Sequence, residues 1–567
     1  MADLGTNVLG RALSRFFSFL KADKKDFYAI YAYAIFSGLL ALSVPLGIQT
    51  IISFVLAGSI STSMVVLICF VVVGVFFTGL LQVKQMQVVE KIEQKIFVRY
   101  AFEFTDRLPK INVQKMDSYY LPELVNRFFD TVSLQKGIGK LLIDIPTATI
   151  QLLFGLILLS FYHPVFIVFG IALFLVLILI LRFTSVKGME TNVLASDFKF
   201  SVAGWIEEIA RTVKTFKYSK GTQIHLKETD QLTSGYLKAR TEHFRILQKQ
   251  YWSLIVFKVL ITAAMLIVGA VLLIDQQLNV GQFVAAELVI LTVITAVEKF
   301  ILNLDKVYDV LTALEKLGKV TGSEIEKDGS VVLPTTNQGV AVRFKDVVFH
   351  YGSDNNVLRN LSFDVKPGTH VAVMGESGSG KSTVLRLLTG AFNKFEGAVL
   401  VDEVPVGNYE LASLRRQTGI LLSLQDIFKA SLLENITMGN PDVSINEVIH
   451  LAAITGLDEF VQAQKEGYDH ILDPAGKRLP KKYIQAILLM RALLGRHRLL
   501  LLEEPCHYLD RKHIPGILSF LKEDSNATII ITTNDPEIAG CCDEVLLLNE
   551  GQLQARGTWE IIKNKIA

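Results

Sequence analysis

Only four cysteines occur in 567 residues, Cys69, Cys506, Cys541 and Cys542, and none stands in a C-x-x-C pair. Four scattered thiols build no disulfide framework, and the adjacent Cys541-Cys542 lacks the spacing of a thiolate metal site, which fits a reducing compartment. A surplus of either charge is missing too: 57 basic against 55 acidic side chains leave a formal net charge of +2. That balance offers no electrostatic footprint for nucleic acid, so no nucleic-acid partner is expected. No internal repeat or low-complexity tract is visible. Met1 to Lys25 lacks the layout of a signal peptide, because the first long apolar run begins only near Phe27.

Hydrophobic runs, by contrast, are abundant. Mean hydropathy is +0.40, and the chain is too long for one core, so two or more domains are expected. Six segments approach the roughly 20 residues that cross a bilayer. They are Phe27–Leu56, Ser63–Val83, Lys140–Tyr162, Val165–Leu181, Trp252–Ile274 and Gly281–Leu302. The short turns Ala57–Thr62, Tyr162-His163-Pro164 and Asp275–Val280 hold no Lys or Arg, whereas Lys84–Gly139 and Arg182–Tyr251 are rich in both. The positive-inside rule therefore puts the N-terminus, both long loops and everything after Leu302 in the cytoplasm. Both loops read as mostly helical, so spans two to five are expected to project beyond the membrane.

Ahead of the spans, Val8, Leu9, Leu13, Phe16, Phe17 and Leu20 recur at helical spacing between Arg11, Arg15 and Lys21. Residues 1–26 thus read as a basic amphipathic helix lying on the membrane surface. Residues 27–320 form the membrane domain. Inside it, Lys258 and Glu287 each lie about 9 Å in from opposite faces of a ~30 Å core, too far apart for a direct ion pair. Residues 321–339 loosen into Gly, Ser, Thr, Asn and charges, as a linker does. Residues 340–567 alternate apolar runs with helical stretches, the pattern of an α/β domain.

That last domain carries Gly375-Glu376-Ser377-Gly378-Ser379-Gly380-Lys381-Ser382, which reads G-x-x-x-x-G-K-S. An apolar run, Val371 to Met374, enters it as a strand would, and an amphipathic helix starting at Thr383 leaves it. This context makes it a phosphate-cradling loop, whose backbone N–H groups turn toward phosphate oxygens. Lys381 would reach the β- and γ-phosphates of ATP, and Ser382 would offer its hydroxyl to Mg²⁺. Further on, Leu499-Leu500-Leu501-Leu502-Glu503-Glu504-Pro505 reads as a buried strand with two carboxylates at its end, facing metal and attacking water.

Six spans, two long cytoplasmic loops and a C-terminal phosphate-loop domain resemble a half-transporter of the ATP-binding-cassette (ABC) exporter family, most similar to its type I secretion and peptide-exporting branch. The resemblance implies a six-helix transmembrane domain followed by an α/β P-loop NTPase domain. Leu108-Pro109 through Leu124-Val125-Asn126-Arg127 to Asp130, and Glu207-Glu208 to Lys217, resemble the loops that couple nucleotide state to the spans. Tyr351 stands where the family stacks an aromatic on adenine, Glu504 where it keeps its general base, and Asp510 in the loop that crosses to a partner domain.

Four positions depart from the family pattern. Glu503 replaces the usual aspartate, and its extra methylene is expected to disturb metal geometry. Ser423 stands for a magnesium-sensing glutamine, with Gln425 as a substitute only if the loop is displaced. Asn534 stands for a phosphate-holding histidine. Leu479-Pro480-Lys481-Lys482-Tyr483 replaces the Leu-Ser-Gly-Gly-Gln signature that grips a partner's nucleotide. Proline brings neither N–H nor hydroxyl there, although Lys481 or Lys482 offers a compensating charge. The resemblance implies an ATP- and Mg²⁺-dependent exporter working as a homodimer or as a heterodimer with another half-transporter. Membrane lipid and a periplasmic adaptor protein are further expected partners, and the cytoplasmic (inner) membrane the expected location. Tight ATP binding with slow hydrolysis is expected. The alternative is a non-catalytic ATP-binding subunit that regulates or scaffolds an active complex.

Overall fold

In a computed structural model the chain forms two compact units, Met1–Lys110 with Tyr119–Glu324, and Ile111–Ser118 with Ile325–Ala567. The structure describes residues 2–58, 62–112, 114, 121–352, 356–473, 478–523 and 526–565. Parts of the first turn (59–61) and of the first coupling stretch (113 and 115–120) therefore lie outside the described residues.

The first unit is helical: α1 (Ala2–Ala22), α2 (Lys24–Ala41), α3 (Ser43–Leu56), α4 (Thr62–Arg107), α5 (Leu121–Asn126), α6 (Asp130–Tyr162), α7 (Val165–Arg211), α8 (Val213–Tyr218), α9 (Ile224–Ile274), α10 (Val280–Leu302) and α11 (Leu304–Thr321). Among the described residues, six helical stretches are long and apolar enough to cross a membrane. α4, α7 and α9, of 46, 47 and 51 residues, are more than twice the length a bilayer needs.

The first span is not the single run expected over Phe27–Leu56; it breaks between α2 and α3 at Leu42. Pro45 explains the break, since its ring opposes the carbonyl four residues back, which belongs to Ala41, the last residue of α2. A second proline, Pro146, sits inside α6 and leaves the Leu142 carbonyl without its helical donor. The buried Gln85 of α4 supplies one, its Nε2 donating to Leu142 O at 3.0 Å. A glutamine on the helix of the second span and a proline in the third thus answer one another, as lipid demands of backbone groups.

Several charges in this unit are likewise paired. Lys258 Nζ of α9 meets Glu298 Oε2 of α10 at 2.7 Å, so the partner of Lys258 is an acid the sequence reading passed over. Glu287 has no partner among the described residues. The N-terminal helix α1, expected on a membrane surface, packs against other helices of this unit. Arg15 reaches Glu315 Oε2 of α11 at 2.6 Å, and Ala12 and Phe19 are buried. Two ion pairs of opposite sense tie α7 to its neighbours, Lys199 with Asp130 of α6 at 2.9 Å and Asp197 with the fully buried Lys316 of α11.

The second unit holds β1 (Val342–His350), β2 (Asn356–Val365), β3 (His370–Gly375), β4 (Glu396–Val401), β5 (Val404–Pro405), β6 (Thr418–Leu421), β7 (Leu499–Glu503), β8 (Thr528–Thr532), β9 (Glu544–Asn549) and β10 (Gln552–Gly557). An antiparallel sheet runs β2-β1-β4-β5 and a larger sheet runs β10-β9-β3-β8-β7-β6. In the larger sheet β9, β3, β8, β7 and β6 are parallel and β10 antiparallel. Every residue of β7 and β8 is buried, as strands covered on both faces are. Much of the expected linker is laid on this unit. Arg415 forms two bonds of 2.8 Å to the Glu326 carboxylate, and Arg498 Nε donates to Gln338 O at 2.8 Å.

Replacing Asp197 by alanine strands a buried ammonium, whereas Lys316→Met removes it with similar volume. Thermal unfolding in lipid nanodiscs is expected to drop by roughly 2–6 °C for Asp197→Ala and by clearly less for Lys316→Met.

Candidate nucleotide and metal site

Parallel strands that lie side by side end at a common edge. β3, β8, β7 and β6 are consecutive neighbours in the sheet. Their carboxyl ends deliver, in that order, the loop from Gly375, Asn534, the pair Glu503-Glu504, and Ser423. Ligands of open α/β sheets bind at this edge.

The loop from Gly375 to Lys381 leads from β3 into the helix Lys381–Leu388. Gly378 and Gly380 take φ values of 87° and 97°, in the left-handed region that favours glycine. At Gly380 a Cβ would also meet Leu358 Cδ2 at 2.6 Å, so the turn tolerates no side chain. Glu376 and Ser377 are exposed on the loop, and Ser379 is buried with its Oγ lacking a hydrogen-bond partner. Lys381 Nζ arches back to donate to the carbonyls of Gly375 (2.5 Å) and Glu376 (2.8 Å), above the N-terminus of the helix. Asn534 Oδ1 accepts from Gly375 N at 3.3 Å, so the residue after β8 touches the start of the loop. The Tyr351 hydroxyl lies 3.2 Å from Thr383 Oγ1 and accepts from Arg386 at 3.2 Å. Tyr351 is thus anchored to the loop's own helix, with Phe349 edge-on at 4.7 Å. Arg386 was not singled out in the sequence. Its place one turn past the lysine, on the helix face of Thr383, is the signal for it.

Glu503, Ser382 and Ser423 converge. Glu503 Oε1 accepts from Ser382 Oγ at 2.5 Å and from Ser423 Oγ at 3.0 Å, while Oε2 accepts from Ser423 N at 2.8 Å. The extra methylene at 503 lengthens the side chain that makes these bonds. It carries the group across to a serine that is itself two atoms shorter than glutamine. Gln425 is no substitute, because its Oε1 turns back to accept from Leu422 N at 3.1 Å. The gathered donors are all oxygen, one carboxylate and two hydroxyls, which suits a hard cation of the Mg²⁺ kind.

Glu504 lies one residue beyond β7 with φ 44°, a left-handed value that is uncommon for a side-chain-bearing residue. Its N–H donates to Thr532 O at 2.9 Å, and Gln485 Nε2 donates to its carbonyl at 3.2 Å. The backbone at Glu504 is thus pinned from two sides. Burial pushes that carboxyl above the usual glutamate range, with the Lys381 charge opposing. Lys381 in turn is lowered by burial, with Glu504 and Glu503 opposing.

The signature corner is organised differently from the expectation. Pro480 is the N-cap of the helix Lys481–Leu493, not part of its first turn, and supplies no capping bond. Leu479 and Tyr483 pack on the apolar core of this subdomain. Lys482 Nζ pairs with Asp510 Oδ2 at 2.9 Å, and Lys481 Nζ lies 4.8 Å from the centre of the Tyr508 ring. The lysines that offered charge to a nucleotide are thus engaged by the chain's own crossing loop.

An α/β domain with a phosphate loop at the carboxyl edge of its sheet, on one chain with six span-length helices, defines a multi-pass membrane protein with a nucleotide-binding domain. Comparison with known proteins agrees. The family model described as "ABC transporter" matches residues 358–507, and that described as "ABC transporter transmembrane region" matches 27–297. The chain belongs to the ABC transporter family. The cyclolysin secretion/processing ATP-binding protein CyaB of Bordetella pertussis is 29% identical over 335 residues, covering 59% of this chain and 47% of that protein. The alpha-hemolysin translocation ATP-binding protein HlyB of Escherichia coli O157:H7 is 31% identical over 301 residues, 52% of this chain and 42% of HlyB. The match thus spans less than half the length of either relative. A solved bacterial Atm1-family ABC exporter with ATP bound superposes with a TM-score of 0.82 at 20% identity, covering 96% of each chain, and shows the exporter fold.

Lys381→Ala removes the ammonium aimed at the loop, and one or two charge-assisted bonds of about 1.5–3 kcal/mol each predict at least a tenfold loss of Mg·ATP affinity. Equilibrium binding to the purified chain in lipid checks this.

Proposed function

We propose that the chain is an ATP-driven exporter subunit of a bacterial cytoplasmic membrane, moving a peptide, protein or lipid-like substrate outward. What carries this reading is the gathering of Lys381, Ser382, Glu503, Glu504 and Ser423 at one sheet edge, on a chain that also supplies six spans. Lys381 and the loop amides would hold the triphosphate. Ser382, Glu503 and Ser423 would hold Mg²⁺, which when bound neutralises phosphate charge. Glu504, its backbone held by two hydrogen bonds, would take the proton from the attacking water. Tyr351 would stack on the base, Asn534 would hydrogen-bond phosphate as a neutral group, and Asp510 would contact a partner domain. Nucleotide-driven closure of a dimer, homomeric or with a second half-transporter, would pass to the spans through the long cytoplasmic helices. CyaB and HlyB, whose names state secretion and translocation roles, support a polypeptide cargo; a periplasmic adaptor would be the further partner that the family resemblance implies.

A second reading is favoured by one specific observation. Lys482 is tied to Asp510 and Pro480 brings no N–H to the helix start, so the corner that would close a partner's site is blunted. On that reading the chain binds ATP and gates or scaffolds a complex whose other subunit hydrolyses.

ATP turnover by the purified chain in lipid separates the two. The exporter reading expects slow turnover that falls at least a hundredfold in Glu504→Gln. Equal, near-zero rates in both proteins support the binding subunit. The raised carboxyl also sets a pH signature. The base works only when deprotonated, so activity is lost as pH falls, and its acid limb lies at higher pH than an ordinary glutamate near 4.3 would give. A pH–rate profile measures that limb.

A further inference from the structure

Between α9 and α10 a groove of about 450 Å³ opens and reaches down to the start of α11. Leu247, Trp252 and Ile255 of α9 and Ile301 and Leu302 of α10 form its apolar wall, and Gln248 and Asp305 stand at its foot. Trp252 begins the fifth apolar segment and Leu302 ends the sixth, so the groove straddles the edge of the hydrocarbon layer on the side of the long loops. Its rim is open, with Trp252 65% exposed, and an indole at this depth suits the boundary between chains and headgroups. The acids around the groove have cations of their own. One turn deeper, Lys258 and Glu298 meet at 2.7 Å. At the foot, Asp305 Oδ1 lies 3.3 Å from His243 Nε2, and Lys306 Nζ is 3.4 Å from Asp305 Oδ2 and 2.9 Å from Asp309 Oδ2. The His243 bond, with Lys306 and Arg240 near by, outweighs burial and holds the Asp305 carboxyl down to about 2.

Arg245 and Lys249 differ from these. Both are exposed, and neither forms an ion pair among the described residues, not even with Glu242 one turn before Arg245. With Trp252 they stand at i, i+4 and i+7, one stripe of α9 beside the groove. At 1.5 Å per residue Lys249 lies about 4.5 Å, and Arg245 about 10 Å, from Trp252 on the loop side. A headgroup layer is about 5–8 Å thick, so Lys249 stands within it and Arg245 reaches back to it along its stem. We infer that the groove holds one phospholipid of net negative headgroup charge. An acyl chain lies against Trp252, Ile255 and Leu302, and the phosphate lies between Lys249 and Arg245. A zwitterionic headgroup brings its own ammonium to the two cations, whereas an anionic one answers them. The volume falls in the range of small-molecule sites, ample for the upper methylenes of one chain. Leu302 and Asp305 flank Asn303, at which α10 gives way to α11, so the lipid sits at that joint. All of these residues belong to the membrane unit, and the site stands whether the chain transports or only binds ATP.

The test uses the full chain carrying Trp205→Phe and Trp559→Phe, which leaves Trp252 as its only indole. The protein is placed in phosphatidylcholine nanodiscs with rising fractions of phosphatidylglycerol or phosphatidylcholine whose brominated chains quench indole fluorescence on contact. Brominated phosphatidylglycerol is expected to reach half-maximal quenching at a fraction roughly tenfold lower than brominated phosphatidylcholine, because each basic residue at the surface favours anionic lipid severalfold. Arg245→Gln with Lys249→Gln, at exposed positions, is expected to bring the two curves together. Ile255→Phe, which narrows the groove, is expected to weaken the phosphatidylglycerol curve by about threefold or more. Circular dichroism shows which variants are folded. Soluble glycerol phosphate at millimolar concentration is expected to leave the quenching unchanged, since it has no chain for the groove. Coincident curves for the two lipids would mean boundary lipid only and overturn the proposal. So would a difference that survives the double Gln variant, a curve that Ile255→Phe leaves in place, or displacement by glycerol phosphate. No quenching by either lipid would mean that protein, such as a second copy of the chain, covers the groove, and would overturn it as well.

Discussion

The nucleotide unit depends on one carboxylate being held out of water. Glu503 ends a strand whose five residues are all buried, and an acid in that position stands only if its oxygens are bonded. Ser382 from the phosphate loop and Ser423 from the end of β6 supply those bonds. The same contacts draw three segments, more than 40 residues apart in pairs, to one point on the sheet edge. Stability and site assembly are therefore one requirement here. The residues at 503 and 423 are best understood together, since the carboxylate of one accepts from both the N–H and the hydroxyl of the other.

The membrane unit obeys a parallel rule with a different solvent. Lipid offers no hydrogen bonds, so every backbone group a proline releases needs a partner from the protein. Gln85 meets that need for the carbonyl freed by Pro146. Lys258 and Glu298 meet it for charge, each cancelling a group that alone would cost several kcal/mol at the bilayer centre. Below the membrane the rule relaxes, and there the helices are tied by ion pairs such as Lys199–Asp130 instead.

Local signals were readable from the chain and tertiary ones were not. The phosphate loop is eight consecutive residues between a strand and a helix, so its placement needed no long-range information. The six apolar segments were equally plain, because length and composition decide them. The break in the first span was signalled by Pro45 but was absorbed into one long hydrophobic run. The Lys258–Glu298 pair joins positions 40 residues apart on two helices, and depth arithmetic applied to Glu287 alone overlooked the nearer acid. The Glu503–Ser423 pairing was hidden for another reason: each residue, judged singly against a family pattern, looked like a loss. The same holds for Lys482, whose partner Asp510 lies 28 residues further along the chain.

The pairing of Lys258 with Glu298 also decides how the spans respond to voltage. A lone charge carried across the whole hydrocarbon core gains or loses about 2.3 kcal/mol per 100 mV. Two opposite charges 2.7 Å apart move through the field as a neutral dipole, and the work done on one is returned by the other. At the level of this pair, spans five and six can therefore shift without the two charges coupling that movement to the membrane potential.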